Sequence, residues 1–293
     1  MNLKGIGYLL MLWAWGGIGV MGQGKIDPIK MPERGLCAHR GCMDTHPENT
    51  LPAFKEAIRL GAQMIEFDIQ FTKDSMLVVM HDQEVDRTTN GKGRVEELTF
   101  SQIRSLDAGI KKSVEFQGTK VPTFEETLAM MPTNVWLNCH LKGGAAAGAR
   151  AAHIIASSGR LHQAFLTCSE EAADAAKALV PQLKICNVEG RYRKNTAIYA
   201  QESIRRAADF VQLLRPEPDE DRKASFIALR ANNIKINYFY AENAQELETL
   251  WGLGADFILV NNLVDFLPEA KRLGVLPVVP LFRSAGGKPN ADR

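Results

Sequence analysis

Two acidic residues stand two apart inside an apolar run: Glu66 and Asp68, in Met64-Ile65-Glu66-Phe67-Asp68-Ile69. In an extended strand alternate side chains share a face, so both carboxylates point the same way. On an inward face they repel each other unless a cation lies between them. A hard divalent ion such as Mg²⁺ or Ca²⁺ would satisfy them and would also polarise a phosphoryl oxygen. A strand that shows acidic residues to solvent is the other reading of Glu-x-Asp taken alone. His39 and Arg40 close another apolar run, and His46-Pro47-Glu48-Asn49-Thr50 follows, where Asn49 or Thr50 suits a helix N-cap. A guanidinium offers a planar fork to phosphate, and imidazole is the side chain suited to proton transfer near neutral pH. Singly, each of these residues also fits a packed or surface role.

The surrounding pattern says what must position them. Short apolar runs alternate with amphipathic stretches, the signature of βα units and a parallel sheet. Eight strands are expected, at Leu36 to Arg40, Met64 to Ile69, Val135 to Leu141, Ala164 to Cys168, Lys184 to Val188, Phe210 to Leu214, Lys235 to Phe239 and Phe257 to Val260. Helices are expected at Thr50 to Leu60, Thr123 to Met130, Ala145 to Ser157, Glu170 to Leu179, Ile198 to Ala207, Lys223 to Ala231 and Ala244 to Leu250. Eight strands with covering helices favour an α/β fold of the TIM (β/α)8 type, closed rather than open. A ninth run, Met76 to Met80, is separated from the Glu66 strand only by Thr72 to Ser75. So short a link cannot make a parallel crossover, so the run should fold back as an antiparallel hairpin over the barrel mouth and carry His81 and Asp82 there.

The 293 residues, 45% hydrophobic and 24% charged, suffice for one large core, and no Pro, Gly or Ser-rich linker divides them. Residues 25–293 therefore read as a single barrel domain. A net charge of +1 without a Lys/Arg cluster gives no footprint for nucleic acid. Residues 1–24 differ: Lys4, an apolar run from Ile6 to Met21, then Gly22, Gln23 and Gly24. That outlines a signal peptide with cleavage near Gly22, and hence an exported protein, periplasmic or secreted, with no stable membrane insertion after cleavage. An uncleaved N-terminal anchor is the alternative. The five cysteines Cys37, Cys42, Cys139, Cys168 and Cys186 show no metal-binding spacing and read as core residues.

Taken together and in order, several motifs resemble the glycerophosphodiester phosphodiesterase family. They are Ala38-His39-Arg40-Gly41, Pro47-Glu48-Asn49-Thr50, Glu66-Phe67-Asp68-Ile69-Gln70, Val78-Val79-Met80-His81-Asp82, Asp86-Arg87-Thr88-Thr89-Asn90-Gly91, Leu106-Asp107-Ala108-Gly109 and Val121-Pro122-Thr123-Phe124-Glu125-Glu126. The resemblance implies a small-molecule phosphodiester substrate, hydrolysed to an alcohol and glycerol 3-phosphate, and one divalent metal ion on the barrel axis. By the same analogy Glu66 and Asp68 are metal ligands, His39 and His81 exchange protons as acid and base, Arg40 holds the phosphate, and Glu48 orients Arg40 or a histidine.

The chain also departs from the family's pattern. In Trp136-Leu137-Asn138-Cys139-His140-Leu141-Lys142 the family usually carries Glu two residues before the Lys, as a third metal ligand; here that position is His140. Lys142 is retained and should face the phosphate. Imidazole in place of carboxylate removes a negative charge and softens the site, which favours Mn²⁺ or Zn²⁺ over Mg²⁺ or Ca²⁺. The family's Thr-Asp before Pro is Val260-Asn261-Asn262 here, and its usual Trp is Phe239, still an apolar wall for substrate. Glu189, Arg191 and Tyr192 fit either head-group contacts or a solvated loop. Two rival functions stay open at this level: a phospholipase D-like lyase releasing a cyclic phosphate, and an inactive barrel that binds a phosphodiester or lipid head group.

Overall fold

The computed structural model describes residues 29–215, 222–283 and 289–290, so the expected signal or anchor at 1–24 lies outside the described residues. In chain order the elements are β1 (Gly35–Ala38), α1 (Leu51–Arg59), β2 (Met64–Phe71), β3 (Leu77–Val79), α2 (Phe100–Ser105), α3 (Phe124–Met130), β4 (Trp136–Lys142), α4 (Ala145–Ser157), β5 (Ala164–Cys168), α5 (Glu170–Leu179), β6 (Lys184–Asn187), α6 (Thr196–Arg205), β7 (Phe210–Leu214), α7 (Lys223–Ala231), β8 (Lys235–Phe239), α8 (Glu246–Leu253), β9 (Phe257–Val260) and α9 (Leu263–Arg272). A two-residue antiparallel pair, Phe282–Arg283 with Pro289–Asn290, ends the described chain. None of the described helices is long and apolar enough to cross a membrane.

All strands but β3 pair in parallel, and β1 closes the cylinder by pairing with both β2 and β9. The result is the TIM barrel the alternating pattern calls for. The exception is β3, which runs antiparallel to β2 with Ile69 opposite Val79 and Phe71 opposite Leu77. This is the short-link hairpin. The first strand ends at Ala38, two residues earlier than expected, which leaves His39 and Arg40 in the turn above it.

Period-two alternation divides each strand between two cores. On β2, Ile65, Phe67 and Ile69 face outward into the large cluster beneath the helices, while Met64 joins an interior cluster with Cys37, Trp136, Phe165, Cys186, Phe210, Phe257 and Leu259. Phe165 and Phe210 stack there at 3.9 Å between ring centroids. This apolar plug fills the lower barrel. Above it lies a buried polar layer of Asn138, Thr167, Gln212 and Asn237. Thr167 donates to the Asn138 carbonyl oxygen, and the Asn138 amide donates to Gln212. Glu66 belongs to the same level, opposite Asn138 in register, and Asp68 stands one layer higher, opposite His140. The sequence thus switches from apolar to polar on the inward face as each strand climbs towards its carboxyl end.

Two sequence expectations need correction or completion. Thr50 is the N-cap of α1, but its hydroxyl makes no capping bond; it donates back to the Pro47 carbonyl, and Pro52, which lacks an N–H, lies in the first turn. All five cysteines are buried and unpaired, and burial pushes the thiols up, so they are packing residues as read.

The helices α4 and α5 flank β4, which carries His140 and Lys142, and they approach closely because small residues line both. Buried Ala147, Gly148, Ala151 and Ala152 of α4 meet Ala172, Ala173 and Ala176 of α5. A Cβ at Gly148 would lie 2.2 Å from the Ala172 carbonyl oxygen, a backbone atom that can only yield if the helices part. Gly148→Ala should therefore destabilise the protein by about 1 to 3 kcal/mol despite its better helix propensity. Urea unfolding monitored by circular dichroism checks this; unchanged stability would mean the two helices slide freely.

Candidate active site

The residues singled out in the sequence converge at the carboxyl end of the strands. From β2, Glu66 and Asp68 are almost wholly buried, and from β4, His140 joins them. One ligand atom from each of these three lies within 4.8 Å of the other two. His140 Nδ1 is 3.3 Å from Asp68 Oδ1 and 3.6 Å from Glu66 Oε1. Lys142 Nζ is 3.1 Å from the same Asp68 oxygen and 3.3 Å from His140 Nδ1.

Despite those neighbours, Asp68 Oδ1 is buried without a hydrogen bond of acceptable geometry, whereas Oδ2 accepts from the Asn49 amide at 3.0 Å. A buried anionic oxygen is costly unless satisfied. Two carboxylates and an imidazole turned towards one point form a donor set that fits a divalent cation, and the orphaned oxygen marks where such an ion would be held. Burial alone would push the Asp68 carboxyl up, but the nearby His140 and the charge of Lys142 hold it well below the usual carboxylate range.

The turn after β1 supplies the next group. Arg40 adopts a left-handed backbone, φ 53°, as does Asn49, φ 58°. The Arg40 turn aims its amide at Glu66 Oε2, 3.1 Å away, and lays its Nε 3.4 Å from Asp68 Oδ2. Asn49 clamps Asp68 twice, since its side-chain oxygen also accepts from the Asp68 amide at 3.2 Å, and its own amide donates to the Arg40 carbonyl. Sequence reasoning placed Asn49 only as a possible cap. Asparagine tolerates positive φ, which is the signal that could have marked it.

Each expected histidine is tied at Nδ1. His39 Nδ1 meets Asn261 Oδ1 at 2.6 Å, and His81 Nδ1 meets Asp82 Oδ1 at 2.6 Å. Both partners are acceptors, so in each ring Nδ1 is the donor, which fixes the ring's orientation. His39 Nε2 points inward, 3.9 Å from Glu66 Oε2. The Phe239 ring stands edge to face against His39, centroids 5.6 Å apart, which places it beside the cluster. Gln70 donates to the Met80 and Asp82 carbonyls and so pins the hairpin end that carries His81.

Glu48 sits outside this ring, with one oxygen 2.8 Å from the Arg40 guanidinium, as the orienting role requires. It also accepts two hydrogen bonds from Arg87, which had been read only as part of a motif. Arg87 in turn grips Asp82. By contrast, Glu189, Arg191 and Tyr192 bind Glu170 and one another on the far rim: Arg191 pairs with Glu170 and Glu189, and Tyr192 donates to Glu170. They read as a loop network.

Around the site, four carboxylates (Glu48, Glu66, Asp68 and Asp82) face three permanent cations (Arg40, Lys142 and Arg87). A divalent ion would turn that balance to one net positive charge, the complement of a phosphodiester monoanion.

A family model described as "Glycerophosphoryl diester phosphodiesterase family" matches residues 39–184. A glycerophosphodiester phosphodiesterase of Caldanaerobacter subterraneus is 49% identical over 110 residues, 37% of this chain and 45% of the relative. The human glycerophosphodiester phosphodiesterase 1 is 47% identical over 94 residues, 31% of this chain and 28% of the relative. The chain thus spans less than half the length of the curated relatives it matches. Among solved structures, an Oleispira antarctica phosphodiesterase in complex with the product sn-glycerol-3-phosphate superposes with a TM-score of 0.67 at 20% identity, over 81% of this chain and 96% of that one. One from Silicibacter pomeroyi gives 0.72 at 17% identity, over 83% and 95%.

The Asp82 carboxyl is held down at about 2, first by the hydrogen bond from Arg87, against the opposing effect of burial. A depressed carboxylate contributes stability that is complete above its unfolded value, near 4, and lost as pH falls through the folded one. The wild-type melting temperature should therefore fall between about pH 4 and 2 more steeply than that of Asp82→Asn. Scanning fluorimetry across that range tests it, and parallel curves would show that the pair contributes nothing.

Proposed function

The chain belongs to the glycerophosphodiester phosphodiesterase family, and from that membership and the site geometry we propose that it hydrolyses glycerophosphodiesters to an alcohol and glycerol 3-phosphate, with a bound divalent ion. The observation that carries the reading is the Glu66, Asp68 and His140 cluster, with an Asp68 oxygen that lacks a hydrogen bond, beside the His39 imidazole, whose Nε2 lies 3.9 Å from Glu66. When bound, the ion would supply Lewis-acid charge to a phosphoryl oxygen.

The chain's own residues do the rest. Arg40 and Lys142 hold the phosphate oxygens with the positive charge left over from their contacts to Glu48 and Asp68. One imidazole Nε2 takes the proton of the attacking water as the new P–O bond forms. The other histidine, protonated, delivers a proton to the leaving oxygen as the old bond breaks. Asn261 and Asp82 keep the two rings in the tautomer this requires. Phe239 packs the apolar side of His39 and limits water there.

His140 sets the ion. With imidazole where the family usually has Glu, the site carries one negative charge fewer and favours Mn²⁺ or Zn²⁺ over Mg²⁺ or Ca²⁺. We further propose that residues 1–24 direct export to the periplasm or beyond.

Turnover of a glycerophosphodiester panel by metal-stripped protein, re-supplied in turn with Mg²⁺, Ca²⁺, Mn²⁺ and Zn²⁺, tests the reading. Activity should appear with Mn²⁺ or Zn²⁺, and His140→Glu should shift the preference towards Mg²⁺ or Ca²⁺. Silence with every ion that His140→Glu restores would identify a barrel that binds phosphodiesters without cleaving them. His39→Ala and His81→Ala should each lower kcat by about 10²-fold or more with the fold intact. A near wild-type rate in either variant removes its residue from the mechanism.

A further inference from the structure

We propose that Arg87 is a positioning residue that locks the phosphate-binding arginine and the second histidine into one rigid unit; this rests on the hydrolase reading of the site. Arg87 lies in the long loop between β3 and α2, yet its guanidinium bridges two carboxylates from different parts of the chain. Its Nε and Nη2 donate to Asp82 at 2.5 and 3.1 Å, and its Nη1 and Nη2 donate to Glu48 at 2.8 and 2.7 Å. Glu48 hands the same oxygen, Oε1, to Arg40 Nη1 at 2.8 Å. Asp82 gives Oδ1 to His81 Nδ1 at 2.6 Å. A continuous path therefore runs from His81 through Asp82, Arg87 and Glu48 to Arg40.

The path matters because it links the two ends side chain to side chain, where otherwise each is fixed separately to β2, Arg40 through Glu66 and Asp68 and the hairpin end through Gln70. Arg40 rides on the turn after β1, and His81 rides on the end of the hairpin. The loop that carries Arg87 is itself fixed: Thr89 donates to the Val85 carbonyl, and the Asn90 amide donates to Asp107. A guanidinium fork can satisfy two carboxylates in one plane, and an ammonium cannot. Without it, Glu48 and Asp82 would face each other as unshielded like charges. Glu48 would keep Arg40 but lose the restraint on its own position, and Asp82 would no longer be held against His81.

Arg87 is 47% exposed, Asp82 29% and Glu48 12%. A merely structural role would lower stability without acting separately on KM and kcat, and that split distinguishes the proposed role from simple scaffolding. Groups that orient the acting residues typically cost about 10- to 100-fold when removed.

The experiment is a double-mutant cycle on kcat and KM with the ion that supports activity, alongside calorimetric affinity for glycerol 3-phosphate. Arg87→Ala should lower kcat/KM by about 10- to 100-fold, acting on KM through Arg40 and on kcat through His81, with a melting temperature close to wild type. Arg87→Lys should recover only part of the loss. Because Arg87 acts on His81 through Asp82, the kcat of Arg87→Ala combined with Asp82→Asn should stay within about threefold of that of the worse single variant. Multiplicative losses, or an Arg87→Ala enzyme within twofold of wild type, would overturn the proposal. If the wild type binds glycerol 3-phosphate but turns over nothing, the hydrolase reading fails alone, and the positioning role stands if Arg87→Ala weakens that binding about tenfold and falls if it does not. A wild type that neither binds nor cleaves sinks both.

Discussion

Two carboxylates buried side by side on one strand are the constraint to which the rest of the site answers. Glu66 and Asp68 share the inward face of β2 by the geometry of extended chain, and both are almost fully removed from water. Left alone they would repel and demand protons. The chain instead surrounds them with positive charge and donors: Arg40 and Asn49 from the turn after β1, and His140 and Lys142 from β4. Even so, one Asp68 oxygen remains unbonded. Two buried carboxylates and an imidazole turned to one point, with an anionic oxygen still lacking a hydrogen bond, make a donor set that could hold a cation.

The same pair explains the departure from the family's pattern. A third carboxylate would deepen the negative charge; His140 does not, and it places a nitrogen donor beside the two oxygens. The two imidazoles above it are prepared alike, each anchored at Nδ1, but by chemically different partners, an amide at His39 and a carboxylate at His81. His39 belongs to the turn above the barrel's first strand and His81 to the end of the hairpin laid over it, so the two imidazoles reach the site from different parts of the fold.

Much of this was legible in the residues. Glu-x-Asp on a strand fixes a shared face regardless of tertiary context, and the four residues from Thr72 to Ser75 rule out a parallel crossover, so β3 and the placement of His81 followed directly. The strands β5, β7, β8 and β9 run between the expected residues because buried β-branched and aromatic stretches are bounded sharply by polar turns. Helices α2 and α9 escaped notice: α2 is a single short turn-and-a-half within the loop, and α9 holds Pro268 and follows an Asn pair that reads as a turn. What local pattern could not reveal were partners far apart in the chain. Asn261 is 222 residues from His39, and Arg87 is 39 from Glu48; nothing in the spacing of either pair encodes their meeting. Thr50 makes no side-chain capping bond: Pro52 in the first turn has no N–H to offer it, and its hydroxyl donates back to the Pro47 carbonyl.

The account stands or falls on whether the cluster holds an ion. Calorimetric titration of Mn²⁺ into metal-stripped protein should reveal one saturable site. That site should disappear in Asp68→Asn while the far-ultraviolet circular dichroism spectrum is unchanged. No saturable binding to the wild type, or binding that survives Asp68→Asn undiminished, would contradict it and leave the buried carboxylates as a purely structural pair held by Arg40 and Lys142.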